Sequence, residues 1–260
     1  VKSLEITIKG HDTRIFKDPI DLLTLAKDYE KFYSSRIVAA VVNGELRELT
    51  YCLNEDCTVE FIDLTSDVGM KIYVRSLTFL FIKACKDIFP DCLIHIQHSL
   101  GNGLYCEIYT DKPLEEDDVE KIKARMQELC KRDIPIKKTK MPTSEAMLMF
   151  KKMGLEDKVR VLKYRKKPYI NIYDIDGLKD YFYGYMVPST GYLDKFDLKY
   201  YLPGVILQFP GKSHPAQVEK YQEPTKLSKV FREAERWAHI LGVADVGALN
   251  DYIKAGEIAE

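Results

Sequence analysis

The sequence lacks the cysteine patterns that mark most metal and redox sites. None of its cysteines forms a CxxC pair, which argues against a zinc ribbon or a thioredoxin-like redox motif. Several stand among apolar neighbours, so we expect reduced core cysteines in a cytoplasmic protein and no metal site. The six cysteines are Cys52, Cys57, Cys85, Cys92, Cys106 and Cys130.

Long apolar runs and an excess of one charge are also missing. No apolar segment approaches the roughly 20 residues that a membrane span needs, and no secretory signal is present, so we expect no membrane partner. The 39 basic and 40 acidic residues give a formal net charge of -1. No global field therefore draws the chain to nucleic acid, and any such contact needs a local patch.

A phosphate-binding loop is the third absence. The sequence PGKS at 210–213 comes nearest, but a Walker A loop needs glycine five residues before its GK glycine, where Ile206 stands. The preceding GVILQF is typical of a strand. We interpret the PGKS segment as a surface turn, and we find no GxGxxG motif or nucleophile elbow.

What the chain does have is one strongly apolar helical segment, KIYVRSLTFLFIKACKDIFP at 71–90. Its apolar residues recur at helical spacing nearly all round, which is typical of a buried helix. Pro90 ends the segment. Arg75 and Phe79 are four residues apart, so we expect them on one face of the helix.

Residues 1–65 predict a small unit of strands around one helix. LEITIKG and TRIF alternate apolar and polar side chains and predict a hairpin, and Asp18 with Pro19 predicts a helix start. IVAAVVNGEL contains Asn43-Gly44, a strong hairpin-turn signal, and TVEFIDL follows as a last strand. This order is that of a β-grasp fold.

From residue 66 onward strand and helix patterns are mixed. CLIHI, LYCEIY and IPIKK predict strands, whereas PLEEDDVEKIKARMQELCK and EAMLMFKKMG predict helices. We expect strands and turns from VRVLKYRKK through PGK. Two last helices, 226–241 and 246–255, are predicted around Trp237.

The order of these pieces resembles two known modules. VNGEL and EFIDLTSDVG, after a hairpin and a helix, resemble the TGS domain, which contacts RNA or a partner. The helix ending IFP, NGLYCEIY, DYFYGYMVP and KFDLKYYLPG resemble the second additional domain of threonyl- and alanyl-tRNA synthetases, which hydrolyses mischarged tRNA. We predict an α+β chain with a TGS-like β-grasp domain at 1–65 and an editing-like domain with a long central helix at 66–260.

This resemblance implies a degenerate catalytic site. The editing domain uses an HxxxH pair on its long helix and a CxxxH pair further on, and these groups can aim water or zinc at an ester carbonyl. Here Arg75 and Phe79 occupy the first pair, and Phe182 and Met186 the second. A shifted alignment would instead place a tyrosine there, from among Tyr181, Tyr183 and Tyr185. None restores Cys and His, so we expect no catalytic residue and no metal.

Some residues near that cleft remain candidates for ligand binding. Arg75 is a fixed cation that favours phosphate or carboxylate, although a salt bridge to a neighbouring acid is the alternative. His98 adjoins a glycine loop, and we expect it and His95 on opposite faces of a strand. The candidates are Arg75, His98, Asn102, Tyr105, Tyr183 and Tyr185.

A basic run lies between Lys151 and Lys167, where eight basic residues accompany two acidic ones. It is either a solvated face or a track for an RNA backbone. The alternating tyrosines at 181, 183 and 185 follow the strand period and favour sheet packing over base stacking. The candidate nucleic-acid patch is Lys163, Arg165, Lys166 and Lys167.

The same two modules resemble the start of bacterial uridine-type nucleoside kinases, where the editing motifs are eroded and a kinase domain follows. HSLGNGLYCEI and VGALNDYIKAGEIAE carry this resemblance. It implies a non-catalytic accessory region that binds RNA, a nucleoside or a nucleotide. ATP and Mg would act only in a kinase domain after Glu260. A stand-alone RNA-binding module and an active aminoacyl-tRNA deacylase are the alternatives.

Overall fold

The computed structural model describes residues 3–243 and 246–256. The strands are β1 (Leu4–Ile8), β2 (Thr13–Phe16), β3 (Ile20–Asp21), β4 (Ala39–Val42), β5 (Glu45–Glu48), β6 (Cys52–Leu53), β7 (Cys57–Ile62), β8 (Leu93–Leu100), β9 (Gly103–Tyr109), β10 (Lys137–Pro142), β11 (Tyr169–Ile175), β12 (Leu178–Tyr181), β13 (Asp197–Tyr201) and β14 (Gly204–Gln208). The helices are α1 (Leu22–Lys27), α2 (Asp67–Ile88), α3 (Glu116–Lys131), α4 (Thr143–Lys152), α5 (Glu156–Lys163), α6 (Thr225–Ile240) and α7 (Val246–Ala255).

These elements form two compact units. The first contains the described residues up to Lys137 together with Asp174–Gln222, and the second contains Lys138–Tyr173 and the described residues from Glu223 onward. The mixture of sheets and helices confirms the predicted α+β class. The predicted division between residues 65 and 66 lies inside the first unit and stays a prediction.

A five-stranded sheet organises the start of the first unit, in the order β2-β1-β7-β4-β5. β1 and β7 run parallel, and the other neighbours run antiparallel. The buried residues of α1 share one apolar core with this sheet. The arrangement agrees with the predicted β-grasp order. Asn43 and Gly44 form the expected turn between β4 and β5, with φ angles of 49° and 84°.

The first helix begins later than the sequence predicted. Asp21, and not Asp18, is its cap: Asp21 Oδ1 accepts a hydrogen bond from Thr24 N at 2.7 Å. The predicted start at Asp18-Pro19 is wrong because Ile20 and Asp21 form β3, which pairs with β6. A tertiary strand pair thus outweighed a local helix-start signal.

Helix α2 is the centre of the first unit. Ser66 caps it by accepting a hydrogen bond from Gly69 N at 3.0 Å, so the helix starts four residues before the predicted apolar run. Twelve of its residues are buried, which agrees with a helix that is apolar nearly all round. α2 packs against α3, and α3 packs against β13 of a four-stranded antiparallel sheet ordered β13-β14-β9-β8.

The second unit contains a helix that the sequence analysis missed. α5 covers residues that we predicted as strand, and it packs against α4 and α7. Val159 and Val161 favoured the strand interpretation because β-branched residues are common in sheets. Leu162 is nevertheless buried with helical neighbours, so tertiary packing decided the local structure.

The last two helices lie close to the predicted bounds. Trp237, however, is 57% exposed and is not the centre around which α6 and α7 pack. The final EIAE of the second resemblance falls outside the described residues.

All six cysteines are without disulfide partners, and five of them are buried as predicted; Cys52 is exposed. In the described ranges, no helix combines the length and the apolar character needed to cross a membrane.

Candidate functional site

The structure brings together the two residue pairs that the resemblance aligned with the editing motifs, Arg75 with Phe79 and Phe182 with Met186. The rings of Phe79 on α2 and Phe182 after β12 lie 5.0 Å apart and are tilted by 53°. Arg75 Nη1 donates a hydrogen bond to the backbone oxygen of Tyr185 at 2.8 Å. One face of α2 therefore contacts the 182–187 segment, and the helical spacing of four places Arg75 and Phe79 together on that face.

Two residues that the sequence analysis overlooked hold this segment in place. Ser76 Oγ accepts a hydrogen bond from Val187 N at 3.0 Å and lies 3.3 Å from the sulfur of Met186. The carboxylate of Glu48, at the end of β5, accepts a hydrogen bond from Met186 N at 3.1 Å. Ser76 follows Arg75 directly on α2, so its position beside the predicted pair was the available signal.

The cleft between α2 and this segment is filled by the protein's own side chains. Phe79 is fully buried and Met186 is 2% exposed. Gly184, with a φ of 125°, has no Cβ, and a Cβ there would lie 2.6 Å from Cζ of Arg75. The guanidinium thus lies directly against the backbone at Gly184.

The side chains of Arg75, Phe79, Phe182 and Met186 supply neither a group for acid–base catalysis nor a good metal ligand. Arginine keeps its proton, and phenylalanine and methionine neither transfer protons nor bind zinc well. Throughout the part of the chain that the structure describes, no group of three or more His, Cys, Asp and Glu residues could hold a metal ion.

The tyrosines of DYFYGYMVP do not follow the predicted strand period. β12 ends at Tyr181, and the next residues leave the sheet. Tyr183 is 79% exposed, whereas Tyr185 is half-buried and supplies the carbonyl that binds Arg75. Gly184 between them adopts a positive φ, which a regular strand does not accommodate.

The remaining candidates lie on the β8–β9 hairpin. The predicted glycine loop is a tight turn, because β8 extends to Leu100 and β9 starts at Gly103. Asn102 Nδ2 donates a hydrogen bond to the backbone oxygen of Glu219 at 3.0 Å, a carbonyl that also accepts from Gln208 Nε2 at 3.2 Å. Asn102 therefore anchors the 219 segment to the hairpin.

The two histidines of β8 lie on the same face, so the prediction of opposite faces is wrong. The ring of His95 is 5.5 Å from that of Tyr109, and the ring of His98 is 5.7 Å from that of Tyr105. Both tyrosine hydroxyls donate to the carboxylate of Glu107, at 2.8 and 3.1 Å, which places them on one face of β9.

A β-bulge causes this change. The pairing of β8 with β9 shifts register between Ile96 and Ser99, so one extra residue interrupts the alternation of faces. Gln97 lies within the bulge and donates a hydrogen bond to Glu107 at 2.7 Å.

The basic patch is partly neutralised by its surroundings. Lys166 and Lys167 are exposed, and Arg165 is half-buried. Lys163 forms an ion pair with Asp251 of α7 at 3.9 Å. Of the four predicted residues, Lys166 and Lys167 thus present their charges most openly to a polyanion.

A groove of about 550 Å³ opens beside the first half of α3, and no sequence motif marked it. Lys123 and Asp197 pair across its wall at 2.6 Å, and Lys199 lies 4.5 Å from the ring centre of Tyr221. The groove is lined by both acidic and basic side chains, so its charge favours neither anionic nor cationic ligands.

The PGKS segment is a turn closed by a bridge between Gly211 and His214. Lys212 pairs with Asp67 of α2, and this lysine lowers the pKa of Asp67. β14 covers Gly204–Gln208, which agrees with the interpretation of a strand followed by a surface turn.

No family model matches this chain. It is 32% identical over 194 residues to a threonine–tRNA ligase of Methylobacillus flagellatus, which covers 74% of this chain and 31% of that protein. A threonine–tRNA ligase of Hahella chejuensis is 29% identical over 74% of this chain and 30% of its own length. One of Clostridioides difficile is 27% identical over 72% of this chain and 29% of its own length. The chain thus spans less than a third of these curated relatives. Over about three quarters of its length, it is homologous to threonine–tRNA ligases.

Proposed function

We propose that this chain is a non-hydrolytic, synthetase-related module that binds RNA. Its homology to threonine–tRNA ligases supports the synthetase relationship. The observation that carries RNA binding is the basic excess at 138–173, and the side chains in the α2 cleft support the non-hydrolytic part of the proposal. Those relatives are named for a reaction on tRNA, so tRNA is the RNA that we test first.

The proposed lack of hydrolysis is supported by the side chains that the cleft holds. A deacylase must activate water beside an ester, which needs a group that can accept a proton or a metal that can polarise the water. Arg75 instead donates to a backbone carbonyl, and Phe79 packs on Phe182.

The RNA surface is the basic part of the second unit. Residues 138–173 contain ten basic and three acidic residues, although the whole chain is nearly neutral. Such a local excess attracts phosphates and releases their counterions, which makes binding dependent on salt. Lys166 and Lys167 are exposed residues of this region.

A tRNA-binding measurement tests this proposal. We expect the full chain to bind a tRNA transcript at 50 mM salt and to bind it more weakly at 200 mM. The double change Lys166→Glu and Lys167→Glu should weaken binding at least tenfold and reduce the salt slope by about two, one for each phosphate contact.

A matched control is the pair Lys27→Glu and Lys31→Glu, two exposed lysines of the first unit with the same change of charge. Equal losses in the two variants would show that only net charge matters and would reject the patch. No binding at 50 mM salt would reject RNA binding altogether.

Hydrolysis is tested with aminoacyl-tRNA. We expect the purified protein to leave the ester at the spontaneous rate. Turnover that Arg75→Ala abolishes would show that the cleft is catalytic and would establish the deacylase alternative.

Attachment to a uridine-type nucleoside kinase is a finer hypothesis. HSLGNGLYCEI and VGALNDYIKAGEIAE support it, whereas the relatives described above are threonine–tRNA ligases. In that case ATP and Mg would act in a kinase domain, and this region would bind a nucleoside or position that domain. The gene sequence after Glu260 tests the hypothesis: a GxxxxGK[ST] motif would support it, and a stop codon there would reject it.

A further inference from the structure

We infer that the second unit carries a site for an unpaired stretch of RNA, in which a base stacks on Tyr169. The site, here named the β10–β11 face, consists of Lys138, Lys140, Tyr169 and Asn171. This inference rests on the proposed RNA binding and gives it a ligand class and a second contact surface.

The alternation of β11 and the exposed start of β10 present this face. β10 and β11 are neighbours in one sheet. On β11, Ile170 and Ile172 are buried, whereas Tyr169 and Asn171 are exposed, which is the period of two for a strand with one open face. The first four residues of β10 are all exposed, and Lys138 and Lys140 are two apart.

Tyr169 offers an aromatic ring with a cation over one face. Its side chain is 49% exposed, and Nζ of Lys140 lies 4.9 Å from the ring centre. A base that stacks on an exposed tyrosine brings its own phosphates close to neighbouring lysines. Lys140 can therefore neutralise the phosphate of a nucleotide whose base stacks on the opposite face of the ring.

The β10–β11 face continues the basic patch. Thr143 N donates to the backbone oxygen of Pro168 at 2.9 Å, and Thr143 Oγ1 donates to that of Lys167 at 2.7 Å. These bonds fix the backbone that leads from Lys167 into Tyr169. A strand of RNA that follows the exposed Lys166 and Lys167 would thus reach the ring within two residues of the chain.

An unpaired strand fits this surface better than a duplex. Bases in an A-form helix are stacked on one another, so a tyrosine on an open sheet face cannot reach their faces. A single strand can turn out one base and still place its phosphates on the lysines. The ring should therefore contribute to single-strand binding and leave duplex binding unchanged.

The test compares a labelled 12-nucleotide RNA with a duplex of the same sequence, using the full chain. We expect Tyr169→Ala to weaken single-strand binding about tenfold, in line with the loss of one stacked base, and to change duplex binding less than twofold. Tyr169→Phe keeps the ring and should bind as the unmodified protein does. Lys140→Ala should reduce the salt slope of single-strand binding by about one.

Tyr51→Ala is the matched control, because Tyr51 is also exposed and has a cation, Arg47, at 4.9 Å from its ring. The inference is overturned if Tyr169→Ala binds single-stranded RNA as tightly as Tyr51→Ala does. If salt-sensitive RNA binding persists in that case, the proposed function still stands. The inference is also overturned if Tyr169→Phe weakens single-strand binding as much as Tyr169→Ala does, since the aromatic ring would then not be the contact. Absence of all RNA binding removes both proposals.

Discussion

At the scale of single residues, the cleft beside α2 depends on an aromatic pair. Phe79 is fully buried against Phe182, which is only half-buried. Phe79→Ala should lower the free energy of unfolding by about 3–5 kcal/mol, because a buried ring leaves a cavity. Phe182→Ala should cost less, since part of this residue is already exposed.

Urea unfolding of both variants measures these costs. Equal losses for Phe79→Ala and Phe182→Ala would contradict the difference in burial. The control is Phe32→Ala, an aromatic residue with 59% exposure, which should change stability little.

Cysteine exposure gives a second prediction for single residues. Cys52 is exposed, and burial raises the pKa of the Cys85 thiol well above its usual value and that of Cys106 to about 12. Buried thiols with a raised pKa carry little reactive thiolate at pH 8. A thiol reagent should therefore label one cysteine rapidly in the folded protein and six after denaturation.

Cys52→Ser is the control and should remove the rapid reaction. Rapid labelling of two or more cysteines in the folded protein would show that the core thiols are more accessible than the structure indicates.

At the scale of elements, the contact of β9 with β14 depends on Gly204. A Cβ at this position would lie 1.9 Å from the backbone oxygen of Cys106, and backbone cannot move aside as a flexible side chain can. Gly204→Ala should therefore destabilise the protein by about 3 kcal/mol or more.

Gly177→Ala is the matched control because Gly177 has a φ of 88° and open space around it. It should cost only about 1 kcal/mol, the usual strain of that backbone conformation. Thermal unfolding compares the two, and a smaller cost at Gly204 would contradict the close approach of the strands.

Element types were predictable where the local signal agreed with packing. Asn43-Gly44 predicted the β4–β5 turn, and the apolar pattern predicted α2, because these signals need only a few neighbouring residues. α5 and the bulge in β8 were not predictable. The first depends on packing against α4 and α7, and the second on how β9 pairs with β8.

At the scale of the whole molecule, buried cysteine thiols and a buried tyrosine hydroxyl predict a loss of stability at alkaline pH. Burial raises the pKa of Cys106 and of Cys130 to about 12, and it also raises the pKa of Tyr73. Since these folded values exceed the unfolded ones, the folded chain keeps protons that the unfolded chain releases. The contribution of these protonated groups to the free energy of unfolding is complete below about pH 8.5 and declines as the pH rises toward 12.

The free energy of unfolding should thus fall between pH 9 and pH 11, by up to about 1.4 kcal/mol per pH unit for each buried thiol. Urea titrations under reducing conditions measure this slope. Cys130→Ala should have a shallower slope than the unmodified protein. Equal stability at pH 7.5 and pH 10.5 would contradict the raised values.

The sequence by itself determined the α+β class, the spacing of Arg75 from Phe79 and the chemistry that these side chains cannot perform. Those properties follow from residue type and local periodicity. Only the tertiary structure decided that the 182–187 segment lies against α2, that Ser76 and Glu48 hold it, and that Tyr169 stands exposed beside Lys140. These contacts join residues distant in the chain or on neighbouring strands, and the pairing and packing that bring them together have no local signature.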